Sequence, residues 1–228
     1  MQLPLAFKAS PDQLFVNYLG NAEACAVLEQ ISHGTLEHNV FLAGPPGSGK
    51  THLLRATVSQ ALVSGRSAAY VPLARMVTML PEVLEGYENR QLICLDDIHA
   101  LAGQSDAELA VFHFFNRCKA TGARLVFSGN CMPAALGIRL PDLVSRLEQG
   151  IRFPLEGLDD AGKRQVLLQR AKQRGLELDD AALDYLFTRV SRDLHALSSL
   201  LDRLDRASLS AQRRLTVPFI RSVLSPGD

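Results

Sequence analysis

The sequence predicts an α/β domain with a parallel sheet, followed by a smaller domain made only of helices. Three observations carry this prediction. Between residues 39 and 155, short apolar segments without polar alternation are separated by segments of helical length, which is typical of strands in βαβ units. A glycine-rich loop follows the first of these strands and precedes a helix. After residue 155 the strand pattern stops, and helical periodicity continues.

The strands and helix ends can be assigned in chain order. The predicted strands cover residues 39–43, 68–71, 92–95 and 125–128, and residues 151–153 close the sheet. After the third strand, Ser105 and Glu108 have the spacing of a capping box, and Gly122 lies beyond the end of that helix. In the second domain, Asp159 is a candidate N-cap, and a later leucine stripe over residues 194–204 indicates an amphipathic helix.

Composition narrows the class of protein. The 228 residues include 24 Lys and Arg against 24 Asp and Glu, so the formal net charge of zero argues against a large nucleic-acid surface. Four widely spaced cysteines and six histidines form neither a CxxC pair nor a zinc motif. No signal peptide and no apolar stretch of membrane-spanning length is present. We therefore expect a cytoplasmic protein with reduced thiols and no membrane partner.

The glycine-rich loop matches the phosphate-binding pattern GxxxxGK[ST]. Its residues are Gly44, Pro45, Pro46, Gly47, Ser48, Gly49, Lys50 and Thr51. Glycines allow successive backbone N–H groups to turn inward around phosphate oxygens, and the positive end of the next helix points at the same place. Lys50 can reach the β- and γ-phosphates, and the Thr51 hydroxyl can ligate magnesium. The pattern therefore predicts bound nucleotide phosphates with Mg²⁺, and the family resemblance described below implies that the nucleotide is ADP or ATP.

Two carboxylates follow the third predicted strand. A strand that ends in Asp96 brings this carboxylate to the edge of the sheet that carries the phosphate loop, where it can bind the magnesium shell. Asp97 is the candidate for orienting an attacking water molecule. An Asp-Asp pair can also simply mark a helix start, but its position after a phosphate loop favours a functional role.

The order of these motifs resembles the DnaA group of AAA+ ATPases. The segments that carry the resemblance are THLL at 51–54, LDDIHAL at 95–101, a strand ending at Asn130, Ser145-Arg146 and SRDL at 191–194. The segments 140–147, 204–208 and 215–219 are similar to those of DnaA-related regulators of replication initiation within this group. The resemblance implies an AAA+ P-loop domain with a five-stranded parallel sheet and a helical lid.

The resemblance also implies roles for residues outside the phosphate loop. Asn130 would be a polar sensor that faces the γ-phosphate, and Arg192 would be a second sensor that reaches the nucleotide phosphates. His52 joins the nucleotide site, and Tyr18 and Leu19 fall where the family has its adenine-side segment. The alternatives are a turn-forming asparagine, an exposed first-turn arginine and ordinary core packing.

Arg146 corresponds to the arginine finger of the family, which projects into a neighbouring subunit's active site. A guanidinium suits this role because it stays charged and can fork onto phosphate oxygens. The alternative is an ordinary surface arginine.

The first residues resemble the peptide that binds the bacterial sliding clamp. Pro4 favours an extended backbone, in which Leu3, Leu5 and Phe7 can enter an apolar groove while Gln2 makes polar contacts. The alternative is an N-terminal strand that packs on its own core. With this peptide as residues 1–8, the α/β domain spans 9–155 and the lid spans 156–228.

The resemblance therefore implies a regulatory protein that acts on a partner. Bound to an adenine nucleotide, expected to be ADP, and tethered to the DNA-loaded clamp, it would stimulate ATP hydrolysis by DnaA and so inactivate the initiator. Its partners would be DnaA and the clamp, a homo-oligomer is also compatible, and its own ATPase would be weak or absent. No residues remain for a helix-turn-helix domain, so sequence-specific DNA binding is not expected.

Two other readings compete with this one. An autonomous P-loop ATPase, such as a helicase loader of the same clade, would also carry the motif GKTHLL. An inactive scaffold is a third reading, which the intact Lys50, Thr51 and Asp96 oppose.

Overall fold

The computed structural model describes residues 13–189, 194–211 and 216–224. The chain divides into two units, Met1–Gly157 and Leu158–Asp228. The strands of the first unit are β1 (Val40–Ala43), β2 (Ala68–Pro72), β3 (Leu92–Asp96), β4 (Arg124–Gly129) and β5 (Ile151–Pro154). Its helices are α1 (Ala22–His33), α2 (Lys50–Val63), α3 (Leu80–Leu84), α4 (Ser105–Thr121) and α5 (Pro141–Glu148).

The five strands form one sheet in the order β2-β3-β4-β1-β5, and every neighbouring pair is parallel. The predicted parallel sheet is confirmed, and each predicted strand overlaps an observed one. Because the strands are parallel, their carboxyl ends share one edge of the sheet, and the loops after β1, β3 and β4 meet there.

Alternate residues of the central strands pack against helices on opposite faces of the sheet. One face buries Phe41, Ile93, Leu95 and Phe127 together with side chains of α3, α4 and α5. The other face buries Val40, Leu42, Cys94 and Val126 together with side chains of α1 and α2. Burial on both faces explains why these strands are continuously apolar in the sequence.

The expected capping box at the start of α4 is wrong. Gln104 is the N-cap, its side chain makes no capping bond, and Ser105 is already the first helical residue. The Glu108 carboxylate instead turns inward and accepts hydrogen bonds from more distant backbone N–H groups. The predicted end of α4 is confirmed, since Gly122 is a left-handed C-cap with φ 76°.

The second unit contains only helices within its described residues: α6 (Asp160–Gln173), α7 (Asp180–Arg189), α8 (Leu194–Ala211) and α9 (Val217–Leu224). The predicted N-cap of α6 is confirmed, because an Asp159 carboxyl oxygen accepts from the Gly162 N–H at 2.7 Å. Leu197, Leu201 and Leu204 of α8 are buried in the core of this unit. Across the described parts of both units, no helix is long and apolar enough to span a membrane.

Candidate nucleotide-binding site

The phosphate-loop sequence lies between β1 and α2 at the carboxyl edge of the sheet. Gly49 is the N-cap of α2 with φ 88°, and Gly47 has φ 79°, so both occupy the left-handed region that favours glycine. A Cβ on Gly44 would collide with the Leu155 carbonyl oxygen. These three glycines therefore allow the tight path of the loop around the start of α2.

Lys50 lies inside the turn of this loop. Its Nζ donates to the Gly44 carbonyl at 2.6 Å and to the Pro45 carbonyl at 2.8 Å, and the residue is 7% exposed. Burial lowers the pKa of Lys50, while the nearby Asp97 and Asp96 carboxylates act in the opposite direction. The ammonium group is thus held by the same loop whose backbone is suited to phosphate.

Asp96 is the centre of a buried hydrogen-bond network. Its Oδ2 accepts from the Thr51 hydroxyl at 2.7 Å and from the Tyr70 hydroxyl at 2.6 Å, and its Oδ1 accepts from the Ser128 hydroxyl. Asp96 is 1% exposed. Burial of Tyr70 raises the pKa of its hydroxyl well above the usual value, and the negative charge of Asp96 is the second cause. Asp96 therefore lies against the phosphate loop, in direct contact with Thr51.

Tyr70 and Ser128 were missed by the sequence analysis. Tyr70 lies in β2 and Ser128 in β4, the two strands that flank β3 in the sheet. The available signal was a hydroxyl side chain near the carboxyl end of each flanking strand, but it becomes readable only once the strand order is known.

Asp97 has the only positive φ angle, 61°, among the described non-glycine residues. Its backbone N–H donates to the Ser128 hydroxyl oxygen at 2.9 Å, which connects this conformation to the network around Asp96. Burial raises the pKa of the Asp97 carboxyl and the Asp96 charge adds to this, whereas His99 and Lys50 lower it. The charges of Asp96 and Lys50 therefore act on the Asp97 carboxyl beside the phosphate loop.

The segment before α1 packs against the phosphate loop and α2. The Tyr18 ring lies so close to Gly49 that a Cβ there would be 2.6 Å from it, and its centroid is 5.7 Å from that of His52. The His52 Nε2 is 2.8 Å from the Leu14 carbonyl oxygen. Leu19 is partly buried beside Tyr18. The predicted adenine-side residues therefore lie next to the predicted phosphate site.

The remaining predicted site residues lie in different places. Asn130 directly follows β4 at the carboxyl edge, is exposed, and accepts from the Cys131 thiol at 3.2 Å. Arg146 lies in the last turn of α5, just before β5 begins at Ile151, and therefore near the amino edge of the sheet. The remaining predicted positions, Arg192, Gln2, Leu3, Leu5 and Phe7, lie outside the described residues.

The residues at the carboxyl edge fit a magnesium nucleotide. A hydroxyl and a carboxylate, from Thr51 and Asp96, are the oxygen ligands that Mg²⁺ uses together with substrate phosphates. No group of three His, Cys, Asp or Glu side chains that could hold a metal is found among the described residues. When a nucleotide is bound, its phosphates and water would supply further ligands to Mg²⁺.

The fold and the site together define a P-loop nucleotide-binding protein of the AAA+ class. Residues 11–153 match the family described as the bacterial DnaA ATPase domain, and residues 160–224 match the Hda lid domain. The chain therefore belongs to the DnaA-related AAA+ proteins, and its lid is of the Hda type.

Individual proteins and solved structures are also similar to this chain. An uncharacterized protein from Haemophilus influenzae is 41% identical over 227 residues, which cover 98% of each chain. AMPPCP-bound DnaA from Aquifex aeolicus has a TM-score of 0.68 and 26% identity over 85% of this chain and 65% of that chain. Domain III of the Thermotoga maritima replication initiation protein DnaA has a TM-score of 0.79 at 22% identity, over 95% of this chain and 97% of that chain, which supports the fold alone.

Proposed function

We propose that this chain is a regulator of replication initiation that stimulates ATP hydrolysis by DnaA while its own site holds an adenine nucleotide. Membership in the DnaA-related, Hda-like family supports a role in regulating replication initiation in general. The acceleration of hydrolysis in DnaA is the finer proposal.

The position of Arg146 is the observation that carries this proposal. The phosphate loop follows β1 at the carboxyl edge of the sheet, whereas Arg146 precedes β5 near the amino edge. These two edges lie at opposite ends of the strands, and strands such as β1 and β5 are roughly 10 Å long. An arginine at the amino edge is suited to a nucleotide held by another protein.

The surroundings of Arg146 also support a role towards a partner. Its guanidinium lies 5.9 Å from the centre of the Phe115 ring, and its Nη1 donates to the Gln149 amide oxygen at 3.4 Å. No carboxylate forms an ion pair with it among the described residues. The guanidinium can therefore fork onto phosphate oxygens without first breaking an ion pair, and an arginine finger accelerates phosphoryl transfer by ~10³–10⁵.

The chain's own nucleotide site has a separate role. Lys50 and the loop N–H groups would bind the phosphates of ADP or ATP, Thr51 and Asp96 would hold Mg²⁺, and Tyr18 would cover the adenosine side. The AMPPCP-bound DnaA from Aquifex aeolicus, which is 26% identical over 85% of this chain, supports an adenine nucleotide at this site. Asn130 and Arg192 would respond to the phosphates, and residues 1–8 would tether the protein to the sliding clamp.

Hydrolysis at the chain's own site is a second candidate function. The observation that favours it is the intact set of Lys50, Thr51, Asp96 and Asp97 at the carboxyl edge. A protein that turns over its own ATP would need Asp97 for the reaction and would not need Arg146 in DnaA's site.

The test is phosphate release by DnaA–ATP in the presence of clamp loaded on DNA. Arg146→Ala should remove nearly all stimulation, because the guanidinium that neutralises charge in DnaA's transition state is gone. Arg152→Ala is the matched control, since Arg152 is an exposed arginine on the neighbouring β5. Stimulation that survives in Arg146→Ala would contradict the proposal, and loss of the chain's own hydrolysis instead would favour the second candidate.

A further inference from the structure

We infer that Glu108 is a positioning residue for Arg146, acting by fixing the start of α5 against α4. This inference rests on the proposed function, because it concerns how Arg146 is presented to a partner's nucleotide. It adds to the site a residue that lies in the core rather than at the phosphate loop.

Glu108 is a buried carboxylate whose bonds all come from backbone N–H groups. It is 1% exposed. Its Oε2 accepts from Arg139 at 3.0 Å and from Leu140 at 2.9 Å, and its Oε1 accepts from Gly103 at 2.9 Å. These three donors need a side chain whose two terminal atoms both accept hydrogen bonds. A carboxylate has two acceptor oxygens, whereas an amide has only one.

The start of α5 depends on this carboxylate. Leu140 is the N-cap of α5, and it makes no side-chain capping bond. Its N–H is bound by Glu108 instead, so α4 holds the residue from which α5 begins. Since α5 has only eight residues, the direction of the whole helix follows from how its start and its buried leucines are fixed.

The end of α5 contacts the same helix. Phe115 of α4 lies beneath the Arg146 guanidinium, with 5.9 Å between the guanidinium carbon and the ring centre. Glu108 and Phe115 are seven residues apart, so they lie on one face of α4, two turns from each other. One face of α4 therefore holds both the start of α5 and the arginine near its end.

Loss of the Glu108 hydrogen bonds should displace Arg146. It should not disturb the phosphate loop, because that loop lies between β1 and α2. A displacement of about 1 Å in a catalytic group can lower a rate by roughly a hundredfold. The expected defect is therefore in the stimulated rate rather than in the affinity of the chain for ADP.

The experiment compares Glu108→Gln with Asp106→Asn, which changes an exposed carboxylate in the same helical turn. We expect Glu108→Gln to lower maximal stimulation of DnaA–ATP hydrolysis by about 10- to 100-fold. The concentration for half-maximal stimulation and the ADP-induced rise in Tm should stay as in the unmodified protein. Asp106→Asn should keep full stimulation.

A double-mutant cycle with Arg146→Ala separates positioning from general stability. If Glu108 acts through Arg146, adding Glu108→Gln to Arg146→Ala should cause little further loss. Independent, multiplying losses would overturn the inference. Full stimulation by Glu108→Gln, when Arg146→Ala does not stimulate, would also overturn the inference. Stimulation by Arg146→Ala would instead overturn the proposed function itself.

Glu108→Asp provides a second variant if Glu108→Gln does not fold. It keeps the charge but shortens the side chain. This variant should fold, show the ADP-induced rise in Tm, and stimulate DnaA–ATP hydrolysis less than the unmodified protein does. Loss of ADP protection in both Glu108 variants would overturn the inference, because Glu108 would then support the domain as a whole.

Discussion

Asp97 is a residue in which backbone conformation and charge act together. Its φ of 61° is one that asparagine and aspartate tolerate better than other non-glycine residues, and its carboxyl is half-buried beside Asp96. Burial raises its pKa, so its charged form is less favourable in the folded protein than in the unfolded chain. This is a cost to stability at a position suited to function.

Asp97→Asn should therefore raise the Tm at neutral pH. A raised folded-state pKa means that the folded protein binds the proton at higher pH than the unfolded chain, so ionisation of Asp97 destabilises the fold above that pKa. The advantage of Asp97→Asn should shrink as the pH falls from neutral towards the usual pKa of aspartate, where Asp97 becomes protonated.

Thermal unfolding at several pH values checks this expectation, with Asp106→Asn as an exposed control. A stabilisation that grows on acidification would contradict the assigned direction of the pKa shift. An unchanged Tm at every pH would show that the charge of Asp97 is not unfavourable.

At the scale of elements, the junction of β1 and α2 forms the phosphate site. Lys50→Ala should lower ADP affinity, because the loop loses its buried cation while its glycine conformations remain. Ligand protection amounts to ~3 kcal/mol at a hundredfold excess over Kd, or roughly 5–10 °C in Tm for a protein of this size. We expect ADP to raise the Tm of the unmodified protein by this amount and to have little effect on Lys50→Ala.

Lys119→Ala is the matched control for this measurement, since Lys119 is an exposed lysine of α4. It should keep the full ADP-induced rise in Tm. An equal rise in Lys50→Ala would mean that ADP binds elsewhere on the chain.

The elements show why some features could be predicted from the sequence and others could not. The strands, the phosphate loop and the glycine end of α4 follow from local signals, because apolar runs and left-handed glycines are set by neighbouring residues. The capping box failed because Glu108 accepts from the Gly103 N–H, just before the N-cap, and from N–H groups 31 and 32 residues away, and not from the Ser105 N–H. Tyr70 and Ser128 were missed for the same reason, since their bonds to Asp96 depend on strand order.

At the scale of the whole molecule, the proposed function needs binding to the clamp as well as the arginine finger Arg146. Replacing Gln2 and Leu3 by Ala should abolish clamp binding, because the peptide loses a polar contact and an apolar anchor. ADP protection should be unchanged, since the phosphate site is formed by β1 and α2. Co-elution with the clamp on size-exclusion chromatography measures this.

Lys119→Ala serves as the control for the tether, because it changes an exposed lysine of α4 outside residues 1–8. It should co-elute with the clamp. If the Gln2 and Leu3 double variant also co-elutes, the first residues are not the clamp-binding peptide.

The most direct test of action in trans is to follow which bound nucleotide is hydrolysed in a single turnover. DnaA is loaded with ATP labelled at the γ-phosphate, and this chain is loaded with unlabelled ADP, with clamp on DNA present. We predict rapid release of labelled phosphate with the unmodified chain and little release with Arg146→Lys, which keeps the charge but loses the planar fork. Equal release with Arg146→Lys would contradict a guanidinium finger, and no acceleration by the unmodified chain would contradict action on DnaA.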